Sequence, residues 1–190
     1  VFIANKVGSC YFTASADGIT DSSGQITVVP GPLDRFSISG TPPTRIAGQP
    51  FPANINVTAY DIRDNIKTDY IGILWFESSD PGAVLLYDSG NPYTFDIGDQ
   101  GSADFAGSGF ELRTAGSQTI TATNGTIMVV SDPIDVSAAQ IDTFTFSVDP
   151  VQNAGVSFDL QVLFAEDQFG NPASDIVLVS TSYGGGSSPD

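Results

Sequence analysis

Residues 51–60 read FPANINVTAY. Phe51, Ala53, Ile55, Val57 and Ala59 fall on one side of an extended chain, and Pro52, Asn54, Asn56, Thr58 and Tyr60 on the other. Successive side chains of a strand point to opposite faces, so a period of two with one apolar side predicts a half-buried antiparallel strand. Outward in both directions the same texture recurs. Short stretches rich in Val, Ile, Thr, Phe and Tyr alternate with clusters of Gly, Pro, Asn, Asp and Ser, and strong helical periodicity is absent. That pattern predicts an all-β sandwich or barrel. The strand candidates are Leu33–Ser39 (A), Phe51–Tyr60 (B), Ile71–Glu77 (C), Tyr93–Asp96 (D), Ala103–Leu112 (E), Ser117–Thr123 (F) and Ile127–Ser137 (G).

The chain also repeats itself. GSCYFTASADGIT from Gly8 aligns with GSQTITATNGTIM from Gly116, 108 residues on, placing Phe12 on Ile120, Thr13 on Thr121 and Ala14 on Ala122. At the same spacing Ile26 meets Ile134, Val28 meets Val136, Asp34 meets Asp142 and Phe36 meets Phe144. AGQPF at Ala47 then pairs with AGVSF at Ala154, and Asp61 and Asn65 pair with Asp167 and Asn171. The unit is about 107 residues, close to one immunoglobulin-like sandwich of seven strands in two sheets. Its phase predicts residues 1–31 as the C-terminal part of a repeat (strands E–G), 32–138 as a complete sandwich, and 139–190 as the N-terminal part (strands A–C) of a further one. The fold class expected is therefore all-β, as tandem immunoglobulin-like β-sandwiches.

The ordered motifs AGQPF (Ala47–Phe51), AYDIRDN (Ala59–Asn65), YIG (Tyr70–Gly72), SSDPGA (Ser78–Ala83), YTF (Tyr93–Phe95) and TAGSQTITAT (Thr114–Thr123) carry a family likeness. Together they resemble a prokaryotic extracellular Ig-like repeat of the filamin-like or invasin-like kind found in tandem on surface proteins. The resemblance implies a β-sandwich in a stalk, surface layer or adhesin, and it brings no catalytic residues.

Composition narrows the chemistry. The chain has 190 residues, 22 acidic and 6 basic, with a formal net charge of −16, one cysteine and no histidine. Without histidine there is no Ser-His-Asp or Cys-His catalysis and no histidine-held metal. A lone Cys10 makes neither a thiolate zinc site nor an intrachain disulfide, and on a face shared with Phe12 and Ala14 it is expected to be buried and inert. The negative charge opposes binding to nucleic acid or anionic membranes. No run of about 18 apolar residues exists, so no membrane insertion is expected in this segment. Residues 1–10, VFIANKVGSC, are too short and polar for a signal peptide. Catalysis by a carboxylate pair such as Asp96 and Asp99 would need a fixed separation in a cleft, which nothing in the sequence singles out. Gly184–Gly186 lacks the lysine and helix of a phosphate loop. No enzyme is expected.

Three groups of residues stand out. Asp61, Asp64, Asn65 and Asp69 follow strand B, echoed by Glu166, Asp167, Asn171 and Asp175. Such oxygen-rich loops suit calcium as the one candidate cofactor, although the spacing is not that of an EF-hand, and a solvated turn is the plain alternative. Asn56-Val57-Thr58 and Asn124-Gly125-Thr126 are glycosylation sequons on a polar strand face and in a hairpin turn, and both are expected to be exposed. In strand C, Leu74 and Phe76 are expected to point inward. Ile71, Ile73 and Trp75 then form an apolar outer stripe, either an interface or a face covered by a long loop.

The expected function is structural: a stalk, surface-layer or filament element outside the cell, extracellular and at the cell surface. Its expected partners are copies of itself or neighbouring repeats. Incomplete sandwiches at both ends could also close by strand pairing between subunits, unless the ends mark an excerpt of a longer array. An adhesin binding a protein or glycan ligand, or an accessory module of a large extracellular hydrolase, are the alternatives.

Overall fold

A computed structural model of the chain describes residues 1–151, 153, 155, 156 and 161–174, the last stretch without the side chains of 162 and 163. Gly184–Gly186, Asp175 and part of the AGVSF motif lie outside the described residues. Two compact units are present, Val1–Ser137 and Ala138–Asp190.

The strands of the first unit are β1 (Gly8–Cys10), β2 (Thr13–Ala16), β3 (Ile19–Ser22), β4 (Ile26–Val28), β5 (Leu33–Ser39), β6 (Thr44–Ile46) and β7 (Ile55–Asp61). They continue with β8 (Ile73–Ser78), β9 (Tyr93–Thr94), β10 (Ser102–Phe105), β11 (Gly116–Gln118), β12 (Ile120–Thr123), β13 (Met128–Val130) and β14 (Ile134–Ser137). The second unit holds β15 (Ile141–Ser147) and β16 (Gln161–Asp167). Helix is limited, among the described residues, to single 3₁₀ turns at Ile97–Asp99 and Gly107–Gly109.

Within residues 32–137 one sheet has the order β10-β7-β5 and another β13-β12-β8-β9. The first supplies Phe36, Ile55, Val57, Ala59, Ala103 and Phe105 to the core, the second Leu74, Phe76, Ile120 and Ala122, all buried. Phe76 is the keystone of the two layers. Its ring lies edge-on to Phe105 at 4.9 Å and to Phe110 at 4.8 Å between centroids. Such geometry sets the positive ring edge against the negative ring face. A third sheet, β11-β14-β6, with β6 parallel to β14, completes the sandwich.

Strand A and the centre of B fall where the sequence pattern puts them, C begins two residues later and D ends two residues earlier than expected, and four further details differ. Strand B starts at Ile55, so Ala53 is exposed rather than inward. Phe51 instead bonds the carbonyl of Phe110 through its N–H, and residues 51–53 run against Gly107, where a Cβ would strike the carbonyls of Phe51 and Ala53. Strand E stops at Phe105, and the buried Phe110 and Leu112 reach the core from irregular chain. Strands F and G each break in two, β11 with β14 in one sheet and β12 with β13 in another. Pro133 explains the break in G, since proline cannot donate to a ladder. Strand β6 has no counterpart in the sequence reading; three residues centred on Arg45 are too short to show a period.

The sequence repeat extends to strand register. Gly8 pairs with Val28 and Cys10 with Ile26 in β1–β4, as Gly116 pairs with Val136 and Gln118 with Ile134 in β11–β14. Thr13 faces Ser22 as Thr121 faces Val130. In the second unit Ile141 pairs with Asp167 and Phe144 with Ala165, reproducing Leu33 with Asp61 and Phe36 with Ala59, including the irregularity after the first pair.

Candidate functional site

The turn that follows β7 is densely hydrogen-bonded. Asp64 takes a left-handed backbone at φ +59°, which closes the turn and brings Asn65 back over Asp61. The buried Asp61 carboxylate accepts from four directions. Oδ1 takes the N–H groups of Arg63 at 2.8 Å and Asn65 at 2.9 Å, and Oδ2 takes the Asn65 carboxamide at 2.9 Å and the Gly31 N–H at 2.8 Å. The second unit repeats the device. Asp167 accepts from Phe169 N, Asn171 N, Asn171 Nδ2 and Ala139 N, with Gly170 at φ +81° in the place of Asp64. Glycine adopts that backbone without cost and aspartate is one of the few residues that tolerates it.

These bonds set the charge. The Asn65 carboxamide, aided by three backbone N–H groups, holds the Asp61 carboxyl far below the usual carboxylate range despite its burial. Burial pushes Asp167 up, but the Asn171 carboxamide and three N–H groups outweigh it, and its carboxyl is also lowered.

The four residues expected to gather around calcium do not converge. The Asp61 oxygens accept from the Asn65 carboxamide and from backbone N–H groups, and Asn65 Oδ1 accepts from Val7 N. Asp64 turns away to Arg35 at 2.7 Å, and Asp69 pairs with Lys67 at 2.7 Å. Asp167 and Asn171 repeat the closed arrangement. Among the described residues no three of His, Cys, Asp and Glu stand together as a metal site. The arrangement ties backbone.

A second aspartate clamp, Asp80, was not legible in the sequence beyond its place in SSDPGA. It is buried and accepts from Gly82 N, Arg113 N and Thr114 N, and from the Thr114 hydroxyl at 2.6 Å. Burial raises its carboxyl, yet these donors leave it lowered overall. Asp96 and Asp99, the pair weighed for hydrolysis, cap a 3₁₀ turn. Asp96 Oδ1 accepts from Gly98 N, and Asp99 Oδ2 from Asp96 N. The Tyr93 hydroxyl donates to Asp99 at 2.9 Å; burial and that carboxylate push the phenol up to about 12.

Neither sequon asparagine is fully exposed. Asn56 sits mid-strand in β7, half-buried, with its carboxamide donating to Ser102 Oγ at 3.1 Å and Asp104 Oδ1 at 2.9 Å. Thr58 of that sequon is buried. Asn124 is half-buried in the β12–β13 turn, where its Oδ1 accepts from Thr126 N and Ile127 N, leaving Nδ2 at 3.5 Å from the Tyr70 hydroxyl.

Leu74 and Phe76 are buried, while Ile71 is 69% and Ile73 44% exposed. Trp75 is half-buried because its ring lies over Gly125, and its indole N–H donates to Glu77 at 3.0 Å. Across the sheet Trp75 faces Thr123, which faces Met128, so exposed Met128 and Val130 lengthen the apolar outer face.

Cys10 is exposed, contrary to expectation, as are Phe12 and Ala14 on the same face. Their counterparts in the sequence repeat differ in burial. Phe2, Phe12 and Ile26 are exposed, whereas the residues 108 further on, Phe110, Ile120 and Ile134, are buried beneath the opposite sheet. Phe144, counterpart of the buried Phe36, is likewise exposed.

No family model matches the chain, and no curated protein does. Among solved structures, surface layer protein SbsC domains 4–9 matches with 21% identity and a TM-score of 0.40, over 90% of this chain and 25% of that one. Domains 1–6 of the same protein match with 20% identity and a TM-score of 0.38, over 90% and 21%. Its domains 4 and 5 match with 21% identity and a TM-score of 0.40, over 68% and 58%. This chain thus spans a quarter or less of the longer structures, and at these scores the likeness fixes neither fold family nor function.

Proposed function

We propose that the chain is a non-catalytic structural segment of an extracellular surface protein, built from tandem immunoglobulin-like sandwiches. The observation that carries this reading is the recurrence of strand register: the terminal ladders of the complete sandwich reappear before it, and its opening ladder reappears after it. Strands A, B and E in the sheet β10-β7-β5 and C, F and part of G in the sheet β13-β12-β8-β9 support this reading, while β9, the D segment, pairs with β8 rather than lying beside β10. Repeats of this kind are quasi-one-dimensional, so function resides in length, stiffness and lateral contact. An acidic surface with 22 carboxylates against 6 basic groups keeps such an array solvated and free of non-specific anionic partners. Antibodies raised against the chain should label intact source cells; labelling only after lysis would overturn the reading.

The finer part of the proposal concerns assembly. Each open half is closed by the complementary half of the same repeat type, because its exposed residues are those that such a half covers in residues 32–137. In the 190-residue chain alone that half comes from a second copy, giving head-to-tail polymers. Sedimentation at rising concentration tests this, and a chain that stays monomeric rejects closure between copies. The outer face with Ile71, Ile73 and Trp75 provides lateral contact. Trp75→Ser should weaken side-by-side association while leaving the fold intact; an unchanged sedimentation profile would remove the stripe from the account.

A further inference from the structure

We propose that Asn65 is the lock between successive repeats, the residue that turns a flexible string of sandwiches into a stiff rod. This inference rests on the tandem-repeat reading, since it takes residues 1–28 as the end of the preceding repeat.

The geometry is specific. The carboxamide of Asn65 points out of its own turn as well as into it. Nδ2 donates to Asp61 within the turn and to the carbonyl of Asn5 at 3.0 Å, while Oδ1 accepts from Val7 N at 3.3 Å. Lys6 Nζ adds a bond to the Arg63 carbonyl at 3.2 Å. Residues 5–7 lead directly into β1. The partner strand β4 ends at Val28, paired with Gly8, and three residues later Gly31 N donates to Asp61 Oδ2. One turn therefore grips both strands of the preceding ladder at the same end. A single attachment would leave a swivel; two attachments on adjacent strands oppose rotation about the linker as well as bending.

The chemistry also explains why position 65 is a primary amide. It must donate twice, to a carboxylate and to a carbonyl, and accept once. Aspartate has no donor and would face the Asp61 carboxylate with like charge; leucine would leave Asn5 O, Val7 N and one Asp61 oxygen without these partners. The second unit has Asn171 at the equivalent place with the same bond to its own aspartate, 2.8 Å from Nδ2 to Asp167 Oδ2.

The test uses residual dipolar couplings on the full chain, with two variants that attack the lock from opposite sides. Asn65→Ala removes the carboxamide, and Val7→Pro removes the N–H on the other side without touching the turn. In the unaltered chain β1–β4 and residues 33–137 should fit one alignment tensor. In each variant the couplings of β1 and β4 should fall by half or more, while residues 33–137 keep a tensor and dispersion of their own. An unaltered chain that already needs two tensors, or couplings of β1 and β4 that persist in either variant, would overturn the proposal. The surface-labelling result bears on the wider reading alone, so the two can fail separately.

Discussion

A carboxylate buried without a cation is stable only when donors fill its lone pairs, and Asp61, Asp80 and Asp167 each collect several N–H or O–H groups. All three have carboxyls lowered from the ordinary value. The folded state therefore binds fewer protons than the unfolded one near their titration. Their stabilisation is fully present above about pH 4, the ordinary carboxylate value, and drains away as pH falls through the folded value. Calorimetry should give a Tm that is flat near neutrality and drops below about pH 4; a Tm that holds or rises on acidification to pH 3 contradicts this. Asp80→Ala strands the N–H groups of Arg113 and Thr114 and should cost about 1–3 kcal/mol of stability, measured by urea unfolding. At Asn56 a glycan would have to displace bonds to Ser102 and Asp104. The intact mass of protein from the source should carry no sugar at this position, and a glycopeptide containing Asn56 would refute the assignment of that side chain to the sheet.

At the scale of elements, β8 separates two kinds of apolar residue on one strand. Phe76→Ala removes the ring that joins the layers and should cost about 3–5 kcal/mol. Ile73→Ser on the outer face should change stability by no more than about 0.5 kcal/mol. Trp75 is the only tryptophan, so its fluorescence during urea unfolding reports the sheet that holds β8. Equal losses for the two variants would mean that the outer face is covered in the monomer. The facing of β7 and β8 was readable because strand alternation is local, each residue declaring its face against its neighbours. The splitting of strands F and G was not. Pro133 marks the break in G, but the β12–β13 pairing beside it closes on Ser131, which accepts from Ile120 N through its hydroxyl and donates its own N–H to the Ile120 carbonyl, a pairing across eleven residues. The parallel pairing of β6 with β14 spans about ninety residues and has no local signature.

At the scale of the molecule, the closed aspartate turns predict indifference to divalent cations. The melting midpoint should be the same in chelator and in calcium at equal ionic strength, and a rise with calcium would show that other oxygens assemble a site. The amino-acid sequence alone determined the all-β class and the facing of β7 and β8, because both are written in short-range alternation, and direct self-comparison marked the repeat. It also marked the Asp61 and Asn65 turn, though as a group of oxygens with two opposite uses. Only the tertiary structure supplied the partners that those oxygens take. The donors that occupy those oxygens, the N–H groups of Gly31 and Val7, and the Asn5 carbonyl that accepts from the Asn65 carboxamide lie thirty to sixty residues away, and hydrogen-bond satisfaction is settled by what folding brings near. For the same reason Cys10 and Phe12, core positions by their counterparts, are exposed here: burial belongs to the opposing sheet, not to the strand that carries the residue.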